Sequence, residues 1–401
     1  MSLSPSDRVQ RLADLAVGLG ANLQPGQVLA VSGTFGQEAL VRAVAEAGYR
    51  RGAKYVDASY FDYHVKHARL KHAAEDTLGY VPPWLGQRLL TLEQEGTARV
   101  ALTGPTVPGL FDDVDPARAG RDQLPFIREV VETIDRRSMN WTVVPCPGMA
   151  WAKLVYPDLD PDAALEALWQ AIEHVCRLDT PDPIAAWDER ARQLDRAAGA
   201  LNALQLDRLR FQGPGTDLTV GLFATTRWMA AAAETASGIR HVANLPTEEV
   251  FATPDPERTE GIVRSTKPLL NNGAVIRDLV VRFEQGRAVQ IDASSGAEVL
   301  RGRAAMDDGA ARLGEVALVD RESRIGKLDT IFYDTLLDEN AASHIALGAG
   351  FPFGVGSEER ERANRSAIHI DFMIGADDVD VTGVTQDGRE VPLLRGGAWQ
   401  I

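Results

Sequence analysis

The stretch GQVLAVSGTFGQEALVRAVAEAGYRRGAKYVDASY, residues 26–60, decides the fold of the first half of the chain. It opens on a short apolar run, GQVLAVSG, that ends in glycine. QEALVRAVAEAGYRRG follows with apolar residues at helical spacing and a terminal glycine, and AKYVDASY returns to a strand-like pattern. Two short strands joined by a helix predict parallel neighbours, because a helical crossover carries the chain back to the same end of a sheet.

The alternation continues outward. Charged helical stretches run to Leu90, ARVALTG and NWTVVPCPG read as further strands, and DQLPFIREVVETIDRRS (122–138) reads as the helix between them. The first half is therefore expected to be an α/β domain with a mostly parallel sheet. Prolines and acids in RLDTPDPIAAWDER (177–190) mark a junction, which divides the chain into domains 1–185 and 186–401. After the amphipathic helix WDERARQLDRAAGALNAL (187–204) strands dominate: LDRLRFQG, TDLTVGL, GAVIRDLVVRFEQGRAVQIDAS, GEVALVD, AIHIDFMIG and VDVTGVTQDGREVPLL. Gln285-Gly286 and Asp387-Gly388 suit the positive φ angles of tight hairpin turns. The second half is expected to be a strand-rich, largely antiparallel α+β domain.

A net charge of −15 over 401 residues would repel nucleic acid, and no basic stripe offsets it. Two cysteines, Cys146 and Cys176, are too few for a disulfide framework or a thiolate zinc site. No segment approaches the roughly 18 uninterrupted apolar residues of a membrane span, and SPSDRVQRL reads as a helix start rather than a signal peptide. The expectation is a cytoplasmic protein that contacts neither nucleic acid nor membrane.

The chemistry concentrates in the second half. SAIHIDFMIG places His369 and Asp371 two residues apart on a strand, so both point to one face. Glu248 and Glu249 lie beside Val250 and Phe251, Glu315 begins a short apolar strand, and Glu339 precedes His344 by five residues. Carboxylates in such company protonate or destabilise the fold unless they are paired or bound to a cation. One such group is ordinarily a core ion pair, and a buried His–Asp hydrogen bond is the bland account of His369 and Asp371. Several acids with two imidazoles suit a pair of divalent ions, and oxygen and nitrogen ligands favour Zn, Co or Mn. His64, His67 and His72 lie on a polar helical stretch and read as surface residues; His174 and His241 stand alone.

Four motifs in order, NLPTEEVFATPD, LGEVALVD, DENAASHIALG and IHIDFMIG, resemble those of the thermophilic-type metallo-aminopeptidases, the group of aminopeptidases T, S and II. NWTVVPCPGMAWAKLVYPD and HARLKHAAEDTLGYVPPWL in the first half resemble the same family, so the likeness runs from about Arg8 to Ile401. The resemblance implies a homodimeric, two-domain exopeptidase that removes N-terminal residues from peptides with two divalent metals in its C-terminal domain. The ligands it implies are Glu249, Glu315, Glu339, His344, His369 and Asp371. Of the adjacent glutamates it selects Glu249, since both cannot face one ion from an extended backbone. On this basis a metal-bound water attacks the scissile carbonyl, and Glu248 or a ligand carboxylate carries the proton.

One position departs from the family. Phe351 stands where a tyrosine is expected to donate to the reacting carbonyl, and a phenyl ring has no such donor. That departure keeps a second expectation open, a hydrolase of non-peptide amides. A ring-cleaving dioxygenase with one Fe(II) on His344, His369 and Asp371 is a third, disfavoured by the leftover Glu249 and Glu315. A catalytically silent metal-binding relative is a fourth.

Overall fold

The computed structural model describes residues 3–230, 232–271 and 273–401. Strands β1 (Val28–Thr34), β2 (Tyr55–Phe61), β3 (Ala98–Thr103) and β4 (Trp141–Pro145) form a sheet of order β2-β1-β3-β4, with every pair parallel. The crossover helix Glu38–Arg50 buries Leu40, Val41, Val44 and Ala47 against it. Gly48 on the same face lets the helix settle close, since a Cβ there would lie 2.5 Å from Leu29 Cδ2.

Two sequence expectations require correction. The helix read over 122–138 covers only Arg128–Asp135. Pro125 lacks an N–H and keeps Leu124 out of the helical region, so the preceding residues cannot join it. GAVIRDLVVRFEQG is two strands, not one: Ala274–Ile276 pairs with Leu269–Asn271 in a separate ribbon, and Val280–Glu284 follows after Asp278, at φ 48°.

The second half holds two larger antiparallel sheets. One has eight strands, in chain order Leu206–Gly213, Thr216–Leu222, Pro254–Arg264, Val280–Glu284, Arg287–Asp292, Asp380–Thr385, Glu390–Arg395 and Ala398–Trp399. The other has four: β5 (Glu249–Ala252), β6 (Leu313–Val319), β7 (His344–Gly348) and β8 (His369–Met373), in the order β8-β7-β6-β5. The mixed α/β architecture, parallel first and antiparallel after, is the one the hydrophobic pattern predicts.

The helix Pro183–Leu204 carries the chain across the expected junction. Its Trp187 packs into the parallel-sheet core, whereas Ala191, Leu194, Ala198 and Leu201 pack into the core between the antiparallel sheets. The second half also returns side chains to the first core: Ile325, Phe332 and Leu337 are buried there, and Trp151 Nε1 donates to the Phe332 carbonyl at 2.6 Å.

Asp334 lies buried in this seam, where Thr103 Oγ1 donates to it at 3.3 Å. Burial, reinforced by the charge of Asp338, pushes its carboxyl up to about 7, against bonds from Thr103, Leu337 and Gly104. In the unfolded chain an aspartate titrates near ~3.9. A raised folded pKa costs nothing below that value, and the cost grows as pH rises through the window to about 7. Asp334→Asn is therefore expected to raise stability by about 2–4 kcal/mol at pH 8 and to leave it nearly unchanged at pH 4, measured by urea denaturation at both pH values.

Candidate metal centre

Side chains alternate along a strand, and cross-strand partners share a face. In the four-stranded sheet Glu315 pairs with Ala346, which pairs with Asp371; His344 pairs with Ala317, and Gly348 with His369. Glu249 pairs with Val319, two residues beyond Ala317. The register thus sets Glu249, Glu315, His344, His369 and Asp371 on one face. Ala317, Ala346 and Gly348 stand between them, so no bulky side chain fills the space. The opposite face, with Val250, Val316, Leu318, Ile345, Leu347, Ile370 and Phe372, is fully committed to the hydrophobic core.

Two sets of ligand atoms converge within 4.8 Å: Glu249, Glu315 and His344, and Glu315, His369 and Asp371. Glu315 belongs to both. His344 Nε2 lies 3.1 Å from Glu249 Oε2, and His369 Nε2 lies 3.1 Å from Glu315 Oε2 and 3.3 Å from Asp371 Oδ1.

The imidazole tautomers indicate what the set requires. His344 Nδ1 lies 2.9 Å from the Glu339 carbonyl and His369 Nδ1 lies 2.8 Å from the Ala349 carbonyl. A carbonyl only accepts, so each Nδ1 carries a proton, and the Nε2 turned toward the carboxylates either holds a second proton, as the acids around it favour, or presents its lone pair to a cation. Glu249 Oε2 and Asp371 Oδ1 are moreover buried without a hydrogen bond. Lone pairs facing lone pairs repel unless a cation stands between them, and a second nitrogen anchored to a carbonyl is how metal-bound histidines are held. The donor set fits divalent ions.

The charges respond accordingly. Burial disfavours the imidazolium of His344, but the Glu249 carboxylate 3.1 Å away and the other acids around it hold its pKa well above the ordinary histidine range. Burial likewise opposes the charge on His369, and Asp371 and Glu315 override it. Burial pushes the Glu315 carboxyl up against the pull of His369, whereas Asp371 is held low because His369 outweighs its burial.

The remaining sequence candidates fall elsewhere. Glu339 is buried within the field of the cluster but lies outside both ligand sets; Asn244 Nδ2 donates to its Oε1 at 3.3 Å. Burial, then the charges of Asp371 and Glu249, push its carboxyl well up. Glu248 turns away: its two oxygens accept from Arg177 Nη2 at 2.7 Å and Arg190 Nε at 2.5 Å. Its backbone N–H donates to Asn340 Oδ1 at 2.6 Å, which fixes the start of β5. His67 bonds to Asp113 on the polar helix Tyr63–His72, and His174 to Asp179. Sequence reasoning missed Asn244, Asn340 and the small residues of the sheet face; the Glu-Asn step in DENAAS was the one signal available.

Phe351 lies beside this face. Its ring centroid is 5.4 Å from the His369 ring and 5.4 Å from that of Phe251.

A model of the thermophilic metalloprotease (M29) family matches residues 6–399. Aminopeptidase T of Thermus aquaticus is 41% identical over 99% of this chain and 99% of its own length. Aminopeptidase 2 of Geobacillus stearothermophilus is 38% identical over 98% and 97%. The solved structure of wild-type AmpT from Thermus thermophilus superposes with a TM-score of 0.86 at 39% identity, covering 98% of this chain and 99% of that one.

Ala346 keeps open the space between Glu315 and Asp371. Ala346→Val is expected to weaken binding of Zn²⁺ by about 10–100-fold, measured by titration against a competing chelator, because a branched side chain there displaces the ligand oxygens.

Proposed function

The chain belongs to the thermophilic metalloprotease (M29) family and is a metallo-aminopeptidase; from that premise we propose that two divalent ions on the face of the four-stranded sheet serve the removal of N-terminal residues from peptides. The observation that carries this reading is the double membership of Glu315, one carboxylate shared by two three-ligand sets. Zn, Co or Mn suits those donors. When bound, such a pair supplies a Lewis acid for the scissile carbonyl and acidifies a water to act as nucleophile near neutral pH.

The protein's own part follows from the geometry. Glu249 with His344 would hold one ion and His369 with Asp371 the other, with Glu315 between them. The two histidines, tied by Nδ1 to backbone carbonyls, keep their Nε2 atoms aimed without further adjustment. Glu248 is occupied by Arg177 and Arg190, so transfer of a proton to the leaving amine falls to a carboxylate of the cluster. Glu339, outside both ligand sets yet beside them, is the one we assign, rather than a sixth full ligand. A single Fe(II) on His344, His369 and Asp371 would leave Glu249 and Glu315 unmatched. The division into domains 1–185 and 186–401, a homodimer and a cytoplasmic location belong to the same reading and follow the family expectation.

A second reading, hydrolysis of non-peptide amides, is favoured by Phe351, which stands against His369 and offers no donor to a developing oxyanion.

Glu315→Gln is expected to lower turnover of aminoacyl anilides by about 100-fold or more with the circular dichroism spectrum retained. Full activity in that variant, or one iron per chain by elemental analysis instead of two Zn, Co or Mn, would exclude the shared centre. Phe351→Tyr is expected to raise kcat on the same anilides by about 10-fold or more. A loss of peptide turnover with gain on simple amides would favour the second reading.

A further inference from the structure

The strand register carries the metal face past its ligands. Phe251 stands two residues after Glu249 on β5 and shares its side; across the sheet it pairs with Ala317, which pairs with His344. Beyond β5 a bridge joins Phe251 to Met229, whose N–H donates to the Phe251 carbonyl at 2.9 Å and whose carbonyl accepts at 3.0 Å. Cross-strand partners share a face, so Met229 and Phe251 continue the row that contains His344. Phe251 is also the one residue of β5 that is not buried.

The loop after β7 closes on the same row. The Thr253 hydroxyl accepts from the Phe351 N–H at 3.1 Å and donates to its carbonyl at 3.0 Å, which ties that loop to the end of β5. The Phe351 ring lies 5.4 Å from that of Phe251 and 5.4 Å from that of His369, the most exposed of the five clustered side chains at 21%. Phe353 follows at 5.6 Å from Phe351, and the guanidinium of Arg137, 5.9 Å over its ring, ends the apolar stretch. Gly354 settles on Met229, since a Cβ there would lie 2.7 Å from the methionine Cε. Met229, Phe251, Phe351 and Phe353 are all half-buried and belong to none of the hydrophobic cores of the described residues. Large apolar side chains left partly wet beside a charged face gain from a ligand that covers them.

We propose that Met229, Phe251, Phe351 and Phe353 form the wall on which the side chain of the substrate's N-terminal residue packs, so that the enzyme favours peptides beginning with a large aliphatic or aromatic residue. This rests on the aminopeptidase reading above and gives it a substrate class. The scissile carbonyl and the free amine of that residue are both attached to its Cα. A residue that turns both toward the ions therefore holds its side chain beside the cluster. Its Cβ is two bonds from the carbonyl carbon, whereas the Cβ of the next residue is three bonds away, beyond the leaving nitrogen. The wall flanks both ligand sets, with Phe251 in the row of His344 and Phe351 against His369. An alanine methyl is too short to cover it; a leucine or phenylalanine side chain is not.

The test measures kcat/KM of the full-length, metal-loaded protein on the p-nitroanilides of alanine, leucine and phenylalanine, which share one leaving group. Wild type is expected to favour leucine and phenylalanine over alanine by at least about 10-fold. Phe251→Ala and Met229→Ala are each expected to cut that preference about fivefold or more, because truncation removes area that only the larger substrates touch. Damage confined to the fold or to the ions would lower all three substrates together and leave the ratio in place. Met229 lies outside the four-stranded sheet, which keeps the test open should Phe251→Ala not fold. An unchanged ratio in the variants, or no preference in wild type, overturns the wall while the aminopeptidase reading stands. Alanyl-glycine amide and alanyl-phenylalanine amide differ only beyond the scissile bond. If the variants instead abolish a preference between those two, the wall belongs to the leaving side and the proposal is overturned. If metal-loaded wild type hydrolyses no aminoacyl substrate, both readings fall.

Discussion

Mutual repulsion among Glu249, Glu315 and Asp371 on one buried sheet face is the constraint from which the rest of the second half follows. Three carboxylates gathered with little water between them are unfavourable at any protein dielectric. The two imidazoles relieve part of this only when protonated at both nitrogens, because their Nδ1 protons are already donated to backbone carbonyls and Nε2 alone faces the acids. A positive charge from outside the polypeptide resolves all of these contacts at once. On the proposed reading the ions would stabilise the face they occupy, so that metal binding and folding are linked.

Such a face is held together from behind. β5 to β8 each turn apolar residues into the core, and the six or more branched and aromatic side chains there fix the register that brings the ligands into line. Shifting any of these strands by one residue would send its ligand into the core and a Val, Ile or Phe onto the metal side. The ion triad of Glu248 with Arg177 and Arg190 pins the end of β5 in the same way, through a residue next to the ligand Glu249. Adjacent glutamates divide the labour: one orients the strand and the other joins the candidate ligand set.

Much of this was legible in the sequence, and the reasons are particular. His369 and Asp371 could be read because i and i+2 on a strand share a face whatever the tertiary structure. Strand–helix alternation over residues 26–60 gave the parallel sheet for the same local reason. Convergence of Glu249, Glu315 and His344 was not local; only the order of four motifs and their likeness to a family joined them. Glu248 could be read as one choice of proton carrier because its arginine partners lie 58 and 71 residues away and leave no trace near it.

The distribution of the candidate ligands along the chain also orders how the two sets would assemble during biogenesis. Glu249 leaves the ribosome long before Asp371, and only the last two ligands lie close together in the chain. A nascent polypeptide that lacks β8 already carries Glu249, Glu315 and His344, the whole of one candidate set, but only Glu315 of the other. On the proposed reading the second set closes only when β8 docks against β7, so pairing of two ions would become a by-product of strand order.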